Sequence, residues 1–243
     1  MRDRQKRRRQ RLWLERIVIV VLALLLVVEA VYLLRHRNVP GAGVTAPEWV
    51  EVEPLPINPY SRPGTPLRQI NGVVVHYVGN PATSAEANRS FFAGLALTGE
   101  TYASAHFLVG LDGEVLQCVP LTEIAYCSNE RNDDTISIEV CHDDETGEFN
   151  ADTLDSLERL TAWLCVTFDL DAQTDVIRHY DVTGKICPKY YVEHEDAWLS
   201  FKDGVLSREA EFCSQYITNN KRAFDPERSL VVYFLQITGF CPR

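Results

Sequence analysis

Three side chains of the types that bind zinc stand out in this 243-residue chain. His179 and Cys187 are separated by seven residues in the stretch RHYDVTGKICP (178–188), and His76 lies in the apolar run GVVVHY (72–77). Zinc accepts imidazole nitrogen and thiolate sulfur in tetrahedral geometry, and three protein ligands leave a fourth position for water. The set therefore predicts a zinc site of the catalytic rather than the structural kind.

A glutamate and a lysine extend this set of candidate residues. Glu139 lies in the run TISIEVC (135–141), where apolar and polar residues alternate as in a half-buried strand. A carboxylate on that polar face is costly to bury unless it meets water, a cation or a metal site, so we predict that Glu139 is a general base. The alternative is a glutamate in a salt bridge at the rim. Lys185, two residues before Cys187, is predicted to stabilise an oxyanion.

Alternating strand and helix patterns predict an α/β fold with a central mixed β-sheet flanked by helices. His76 ends a strand that we predict to be buried on both faces, because Val73, Val74 and Val75 are consecutive and β-branched. The dipeptide Asp112-Gly113 favours a tight hairpin turn. The other predicted strands are at 104–109, 114–118, 135–141 and 175–178. Three helices are also predicted. The first is capped by Thr83, the second runs over about 151–168 with Asn150 or Thr153 as its cap, and the third lies around 194–202.

A long apolar stretch precedes this region. Residues 17–34 (IVIVVLALLLVVEAVYLL) are eighteen residues with a single charge, Glu29, which predicts one N-terminal transmembrane helix. Seven basic residues in 2–11 precede it. By the positive-inside rule the basic tail 1–16 is then cytoplasmic, and the rest of the chain lies on the outer face of the cell membrane. A cleaved signal peptide is the alternative, but the run shows no convincing small-x-small cleavage site.

Charge is distributed unevenly along the chain. Residues 1–37 hold 10 of the 24 basic and 3 of the 34 acidic residues, so the remainder has 14 basic and 31 acidic residues and a net charge of about −17. Such a surface does not attract nucleic acid phosphates, so nucleic acid is excluded as a partner. Proline-rich composition marks 35–49 as a linker. We place the folded domain at 50–207 and an extension of unassigned role at 208–243.

Seven cysteines in a chain assigned to the outside of the cell favour disulfides. If Cys187 binds metal, six remain, and Cys141 and Cys165 lie in apolar runs where buried free thiols are expected. The other four form two candidate pairs whose connectivity the sequence leaves open: Cys118 with Cys127, and Cys213 with Cys241.

Four sequence blocks occur in order over about residues 50–205: VVVHYVGNP, SAHFLVGLDGEVLQCVP, DTISIEVC and RHYDVTGKICP. In order and spacing they resemble the zinc-dependent N-acetylmuramoyl-L-alanine amidases, a type shared by phage endolysins, bacterial autolysins and peptidoglycan recognition proteins. The resemblance implies a mixed sheet flanked by helices, and zinc held by two histidines and one cysteine or aspartate. By position, the implied ligands are His76, His179 and Cys187.

The resemblance also implies roles for the remaining residues. In the bacillus-phage branch of the family a glutamate at the position of Glu139 is the general base, and other members carry a lysine at the position of Lys185. Some members have a tyrosine where this chain has Ala105, and that departure fits the glutamate branch. His106 is a rival zinc ligand, but family members keep a histidine here without using it as one. It is therefore predicted to contact a ligand or the substrate.

The implied function is zinc-dependent hydrolysis of the amide between N-acetylmuramic acid and L-alanine in peptidoglycan. Two alternatives remain at this point. One is a peptidoglycan-binding module without turnover, although such modules characteristically lose the cysteine ligand and this chain keeps Cys187. The other is a zinc peptidase that cuts within the peptide stem. A membrane anchor favours cell-wall remodelling or autolysis over lysis of a host by a phage.

Overall fold

The computed structural model describes residues 13, 16–18, 20–28 and 39–222, with side chains to residue 212. The chain divides into two compact units, Met1–Val39 and Pro40–Arg243. In the second unit, six strands form one sheet: β1 (Val50–Val52), β2 (Val73–Tyr77), β3 (Phe107–Val109), β4 (Val115–Gln117), β5 (Ile136–Val140) and β6 (Val176–Arg178). The same unit contains five described α-helices: α1 (Ala85–Thr98), α2 (Ala151–Phe168), α3 (His179–Thr183), α4 (Lys189–Glu193) and α5 (Glu195–Arg222).

The strand order is β1-β4-β3-β5-β2-β6. Among the six described strands, only the neighbours β3 and β4 run antiparallel, and Gly113, with φ 79°, lies in the turn that joins them. The predicted hairpin and the predicted mixed sheet are both confirmed. Strands β3, β5, β2 and β6 all run parallel, so their carboxyl ends meet at one edge of the sheet. In open α/β sheets that edge is where ligands bind.

Helices cover both faces of the sheet. Because side chains alternate along a strand, Val73 and Val75 of β2 point to the face covered by α2 and α5. The buried residues on this face include Ile136, Ile138, Leu157, Leu160, Leu164 and Phe201. Burying one such side chain contributes about 1.5–3 kcal/mol. On the opposite face, Leu108 and Leu116 pack with Phe92 of α1.

The helix caps show how local sequence sets the element ends. Asn150 caps α2, and its side chain accepts a hydrogen bond from the Thr153 amide at 3.0 Å. At α1 the cap is Ser84 rather than the predicted Thr83, because the Ser84 hydroxyl accepts from the Ala87 amide. The Thr83 hydroxyl instead donates to the carbonyl of Asn80. Two adjacent hydroxyl residues made this cap ambiguous in the sequence.

The prediction of a transmembrane helix over 17–34 is wrong. Among the residues that the structure describes, none of the helices combines the length and the apolar character that crossing a bilayer requires. The predicted cell-membrane location, with a cytoplasmic N-terminus, rested on that helix and is wrong with it. Residues 1–12 and 29–38 lie outside the described residues.

The segments on both sides of the predicted domain are connected to it. The preceding segment packs against the core, and the last helix of the domain extends into the following segment. Val44, Ala46 and Trp49, all within the predicted linker 35–49, pack against the core, and the Arg159 guanidinium lies 4.4 Å from the centre of the Trp49 ring. Helix α5 continues through the predicted boundary at 207/208. The apolar run 229–237 lies outside the described residues.

One of the two candidate disulfides is not formed in the structure. Cys118 and Cys127 are free thiols, so the predicted disulfide between them is wrong. The Cys127 thiol instead donates a hydrogen bond to the carboxylate of Glu139. Cys141 and Cys165 are buried free thiols, as predicted. The candidate pair Cys213–Cys241 lies outside the described side chains.

Candidate metal centre

The parallel strands bring the three zinc-type residues to one edge of the sheet. His76 lies near the carboxyl end of β2, and His179 follows β6 directly. Since Val75 is paired with Arg178, the two histidines that follow are neighbours. The chain then reverses at Gly184, which caps α3 with φ 77°, and the amide of Tyr180 donates to the Cys187 carbonyl at 2.9 Å. This reversal returns the cysteine to the histidines.

The geometry of the three groups matches that of one metal site. Their donor atoms all lie within 4.8 Å of one another. The Cys187 Sγ is 3.8 Å from His76 Nδ1, and the ring centres of His76 and His179 are 4.6 Å apart. All three residues are buried, with exposed fractions of 1%, 6% and 2% for His76, His179 and Cys187. The structure thus brings the predicted ligands together, and their binding of zinc stays a prediction.

The outer ring nitrogens of both histidines have protein partners. His76 Nε2 lies 3.1 Å from the Ser128 hydroxyl, and His179 Nε2 lies 2.9 Å from the Asn129 Oδ1. Among the described residues, the buried Nδ1 of His179 has no hydrogen-bond partner. A buried nitrogen without a partner is costly, and a metal ion would satisfy it. The residues present therefore fit a zinc ion bound through Nδ1 of each histidine and the Cys187 sulfur.

Burial sets the protonation of these ligands. It holds the pKa of His76 well below 6.5, with help from the nearby His179 and Lys185, and lowers the pKa of His179 as well. Both imidazoles are therefore neutral, which is the form that binds metal. Burial and the nearby Glu139 raise the pKa of the Cys187 thiol to about 12. Cys187 would bind a metal ion as the thiolate, because coordination deprotonates a thiol.

Glu139 lies beside the histidines on the face of the sheet that carries α1. It is the register partner of His76 on β2 and of Leu108 on β3. Its Oε1 accepts a hydrogen bond from the Cys127 thiol at 3.4 Å, and its buried Oε2 has no partner among the described residues. Burial raises the pKa of Glu139 to about 8. No ion pair to Glu139 is present among the described side chains, so the salt-bridge alternative has no support there.

Lys185 lies on the exposed loop between α3 and Cys187. Its positive charge is near enough to lower the pKa values of His76, His179 and Glu139. Within the described part of the chain, its ammonium group makes no hydrogen bond or ion pair. The lysine is therefore beside the site and free to reach a ligand, as its predicted role requires.

His106 has a different place from the one predicted. Its Nδ1 accepts from the Ser137 amide at 3.0 Å, and its Nε2 donates to the Glu123 carbonyl at 2.9 Å. Burial lowers its pKa to about 4. None of its described hydrogen bonds or ring contacts involves the three ligand-type residues. The side chain ties the start of β3 to β5 and to the loop around Glu123.

Three residues at this site were missed by the sequence analysis. Cys127 was given only as one half of a candidate disulfide pair, and Ser128 and Asn129 were given no role. Each is an ordinary loop residue by type, and each contacts a partner at least 12 positions away in the chain. Nothing in the local sequence signals those contacts.

Comparison with known proteins adds independent information about this chain. A family profile described as N-acetylmuramoyl-L-alanine amidase matches residues 66–190. The chain is 32% identical over a 174-residue alignment to N-acetylmuramoyl-L-alanine amidase BlyA of Bacillus subtilis (strain 168), and the match covers 63% of this chain and 46% of that protein. It is 32% identical over 164 residues to N-acetylmuramoyl-L-alanine amidase CwlL of Bacillus licheniformis, covering 62% and 45%. The chain thus spans about half the length of these relatives.

Solved structures agree on the fold. A mutant endolysin from Bacillus subtilis is similar with a TM-score of 0.54 and 26% identity, over 64% of this chain and 97% of that one. The catalytic domain of XlyA is similar with the same TM-score and identity, over 64% of this chain and 98% of that one. The likeness therefore covers nearly all of each solved domain and about two thirds of this chain.

Proposed function

The chain belongs to the N-acetylmuramoyl-L-alanine amidase family, as its four sequence blocks predicted, and we propose that it hydrolyses the amide between N-acetylmuramic acid and L-alanine in peptidoglycan. One observation carries the proposal. Two histidines and a cysteine converge within 4.8 Å at the carboxyl edge of the sheet, and a buried carboxylate lies beside them. That arrangement has the parts of a hydrolytic site: a metal-binding set and a group that can move a proton.

We propose zinc as the cofactor, held by His76, His179 and Cys187. Nitrogen and sulfur donors in a set of three are typical of catalytic zinc. When bound, zinc lowers the pKa of a water molecule and polarises a carbonyl. The partnerless Nδ1 of His179 supports this choice, since a buried imidazole without a second partner is otherwise unfavourable.

Glu139 is the proposed proton carrier. With Oε1 held by Cys127, the partnerless Oε2 is the atom available to take a proton from the attacking water. The same carboxyl then gives that proton to the leaving nitrogen of the stem peptide. Burial raises its pKa to about 8, so it holds a proton more readily than an exposed carboxyl does. A group that acts first as base and then as acid works best with a pKa near the working pH, and burial moves the pKa of Glu139 towards that range.

Lys185 is proposed to act on the oxyanion. Addition of water to the amide carbonyl leaves a negatively charged oxygen, and a cation aimed at that position stabilises the transition state. The Lys185 ammonium has no described partner to release first, and its charge acts on Glu139 and both histidines. It is therefore placed to act on the charge that develops between them.

Mass spectrometry of digested peptidoglycan tests the proposal. Purified full-length protein supplied with zinc is incubated with cell-wall sacculi, and the soluble products are sequenced. We expect free stem peptides that begin with L-alanine, together with glycan strands that keep an intact lactyl group. Products cut inside the stem would instead indicate a peptidase, and unchanged sacculi that retain bound protein would indicate a binding module. Glu139→Gln is the control, because it should bind zinc and release no stem peptides.

A further inference from the structure

Three consecutive residues contact three different residues of the candidate centre. We call Cys127, Ser128 and Asn129 the 127–129 segment. Its side chains point in turn at the proposed base and at both proposed histidine ligands. The contacts are Cys127 Sγ to Glu139 Oε1 at 3.4 Å, Ser128 Oγ to His76 Nε2 at 3.1 Å, and Asn129 Oδ1 to His179 Nε2 at 2.9 Å.

The order of these contacts follows the order of the strands. Glu139 is on β5, His76 is on the adjacent β2, and His179 directly follows β6, which lies beside β2. Neighbouring strands are about 4.8 Å apart, so the three contacted side chains lie in a row. A segment that crosses these strands can therefore give one side chain to each.

The 127–129 segment is itself held in place. The Asn132 Oδ1 accepts hydrogen bonds from the amides of Cys127 at 3.0 Å and of Ser128 at 2.6 Å. Asn129 has φ 53°, in the left-handed region that asparagine tolerates better than most residues. The Ser128 side chain is buried, with 1% of the residue exposed. Cys127 is half-buried and Asn129 is exposed, so hydrogen bonds with Asn132, rather than burial, hold the segment at those two residues.

We infer that the 127–129 segment is a positioning element of this centre. Asn129 fixes the ring orientation and the tautomer of His179, Ser128 fixes the ring orientation of His76, and Cys127 orients the carboxyl of Glu139. The inference deepens the proposed function and rests on it for the role of Glu139. We call the part of the inference that concerns Ser128 and Asn129 the histidine arm, and the part that concerns Cys127 the glutamate arm. The histidine arm depends only on metal binding and not on which bond is cut.

The histidine arm follows from hydrogen-bond chemistry. An oxygen that accepts from Nε2–H places the ring proton on that nitrogen, so the lone pair of Nδ1 is free for a metal. The partner also prevents the ring from rotating Nδ1 away from the Cys187 sulfur. Loss of such a partner costs about 10- to 100-fold in metal affinity or activity.

The glutamate arm follows from the contact of the Cys127 thiol with Glu139. The Cys127 Sγ lies 3.4 Å from Oε1 and donates a hydrogen bond to it. A donor to Oε1 leaves Oε2 as the acceptor that faces the reacting water. Without it the carboxyl can rotate, and the two oxygens become equivalent.

Variants of Asn129 test the histidine arm in the full-length protein. Asn129→Gly keeps the left-handed backbone and removes the acceptor, whereas Asn129→Asp keeps an acceptor at the same place. The readout is zinc affinity, measured by competition with a chromogenic chelator. We expect Asn129→Gly to lose about 10- to 100-fold in affinity and Asn129→Asp to keep affinity near that of the unaltered protein. Unchanged affinity in Asn129→Gly would overturn this arm.

Variants of Cys127 test the glutamate arm. Cys127→Ala removes the donor, and Cys127→Ser restores one of similar size. We expect Cys127→Ala to lower kcat about tenfold with KM and zinc affinity unchanged, and Cys127→Ser to recover most of that loss. A kcat that is equal in Cys127→Ala and the unaltered protein, or a serine variant as impaired as the alanine variant, would overturn it.

The two readouts separate the inference from the proposed function. If the protein bound zinc but released no stem peptides, the proposed function would fail, while the zinc affinities of the Asn129 variants would still decide the histidine arm. Thermal unfolding of each metal-free variant serves as the check on folding. A variant that unfolds at the same temperature as the unaltered protein and binds zinc more weakly has lost positioning and not structure.

Discussion

At the scale of single residues, metal binding and proton transfer fall to different side chains. Cys187 and the two histidines offer donor atoms to one point, whereas Glu139 has one carboxylate oxygen bonded and one without a described partner. The two functions should therefore separate on mutation. That separation is the clearest residue-level consequence of the geometry.

The first prediction uses this separation. Glu139→Gln should bind zinc as the unaltered protein does and lose about 100- to 10,000-fold in hydrolysis, since an amide cannot accept the proton. Cys187→Ala should lose both zinc and hydrolysis. Zinc content by atomic emission and release of stem peptides by mass spectrometry are the two measurements. Full activity in Glu139→Gln would assign the base to another residue.

The second prediction concerns pH and His106. Its pKa in the folded protein is about 4, against an ordinary value of 6.5, because the ring is buried and neutral. The unfolded chain therefore binds a proton that the folded one does not, and stability falls as pH drops from about 6.5 to 4, by up to about 1.4 kcal/mol per pH unit. Above about pH 6.5 the contribution is complete.

Urea unfolding across this pH range measures the effect. His106→Gln keeps a donor and an acceptor and cannot titrate there, so its stability should fall less on acidification than that of the unaltered protein. Equal losses in the two proteins would show that His106 does not carry this pH dependence.

At the scale of elements, the packing of β2 against β6 sets the distance between the two histidines. A Cβ at Gly72, just before β2, would lie 2.6 Å from the carbonyl oxygen of Asp175, just before β6. That same oxygen accepts from the Val73 amide at 2.9 Å. The close approach of the two strands therefore requires glycine at this position.

The third prediction follows from that approach. Gly72→Ala should destabilise the fold by about 1–3 kcal/mol, because backbone must move to admit the methyl group. It should also weaken zinc binding, since β6 carries His179. Gly94→Ala is the matched control: nothing lies within 4 Å of its Cβ, and alanine inside α1 should stabilise by about 0.5–1 kcal/mol. Chemical unfolding and chelator competition measure both. Unchanged zinc affinity in a folded Gly72→Ala protein would contradict the coupling of these strands to the site.

Local sequence predicted the individual strands and turns better than it predicted which strands lie side by side. The three consecutive valines predicted β2, and Asp112-Gly113 predicted the hairpin, because each signal lies within a few residues. Which strands lie side by side depends on packing between distant segments. The place of β6 beside β2, which brings His179 to His76, could therefore not be predicted from periodicity. The motif resemblance supplied the ligand set in its place.

The same limit explains what was missed. The contact between Ser128 and His76 spans 52 positions, and polar loop residues have no pattern that points to it. The candidate disulfide of Cys127 failed for a related reason: counting cysteines takes no account of the Glu139 carboxylate that the thiol contacts.

At the scale of the whole molecule, hydropathy misled where motif order did not. The apolar stretch 17–34 predicted a membrane-spanning helix, which the described helices do not provide. Four blocks in the right order predicted the family, and the family profile matches residues 66–190. Order over more than a hundred residues is a stronger signal than the composition of a single stretch.

The central claim is that one zinc ion, held by His76, His179 and Cys187, is required for the hydrolysis. The most direct measurement strips the metal from the full-length protein with a chelator and titrates zinc back while stem-peptide release is followed. We predict no release from the stripped protein, and a linear recovery that ends at one zinc per chain. Cys187→Ala should not recover at any zinc concentration that saturates the unaltered protein. Stem-peptide release from the fully stripped protein would contradict the account.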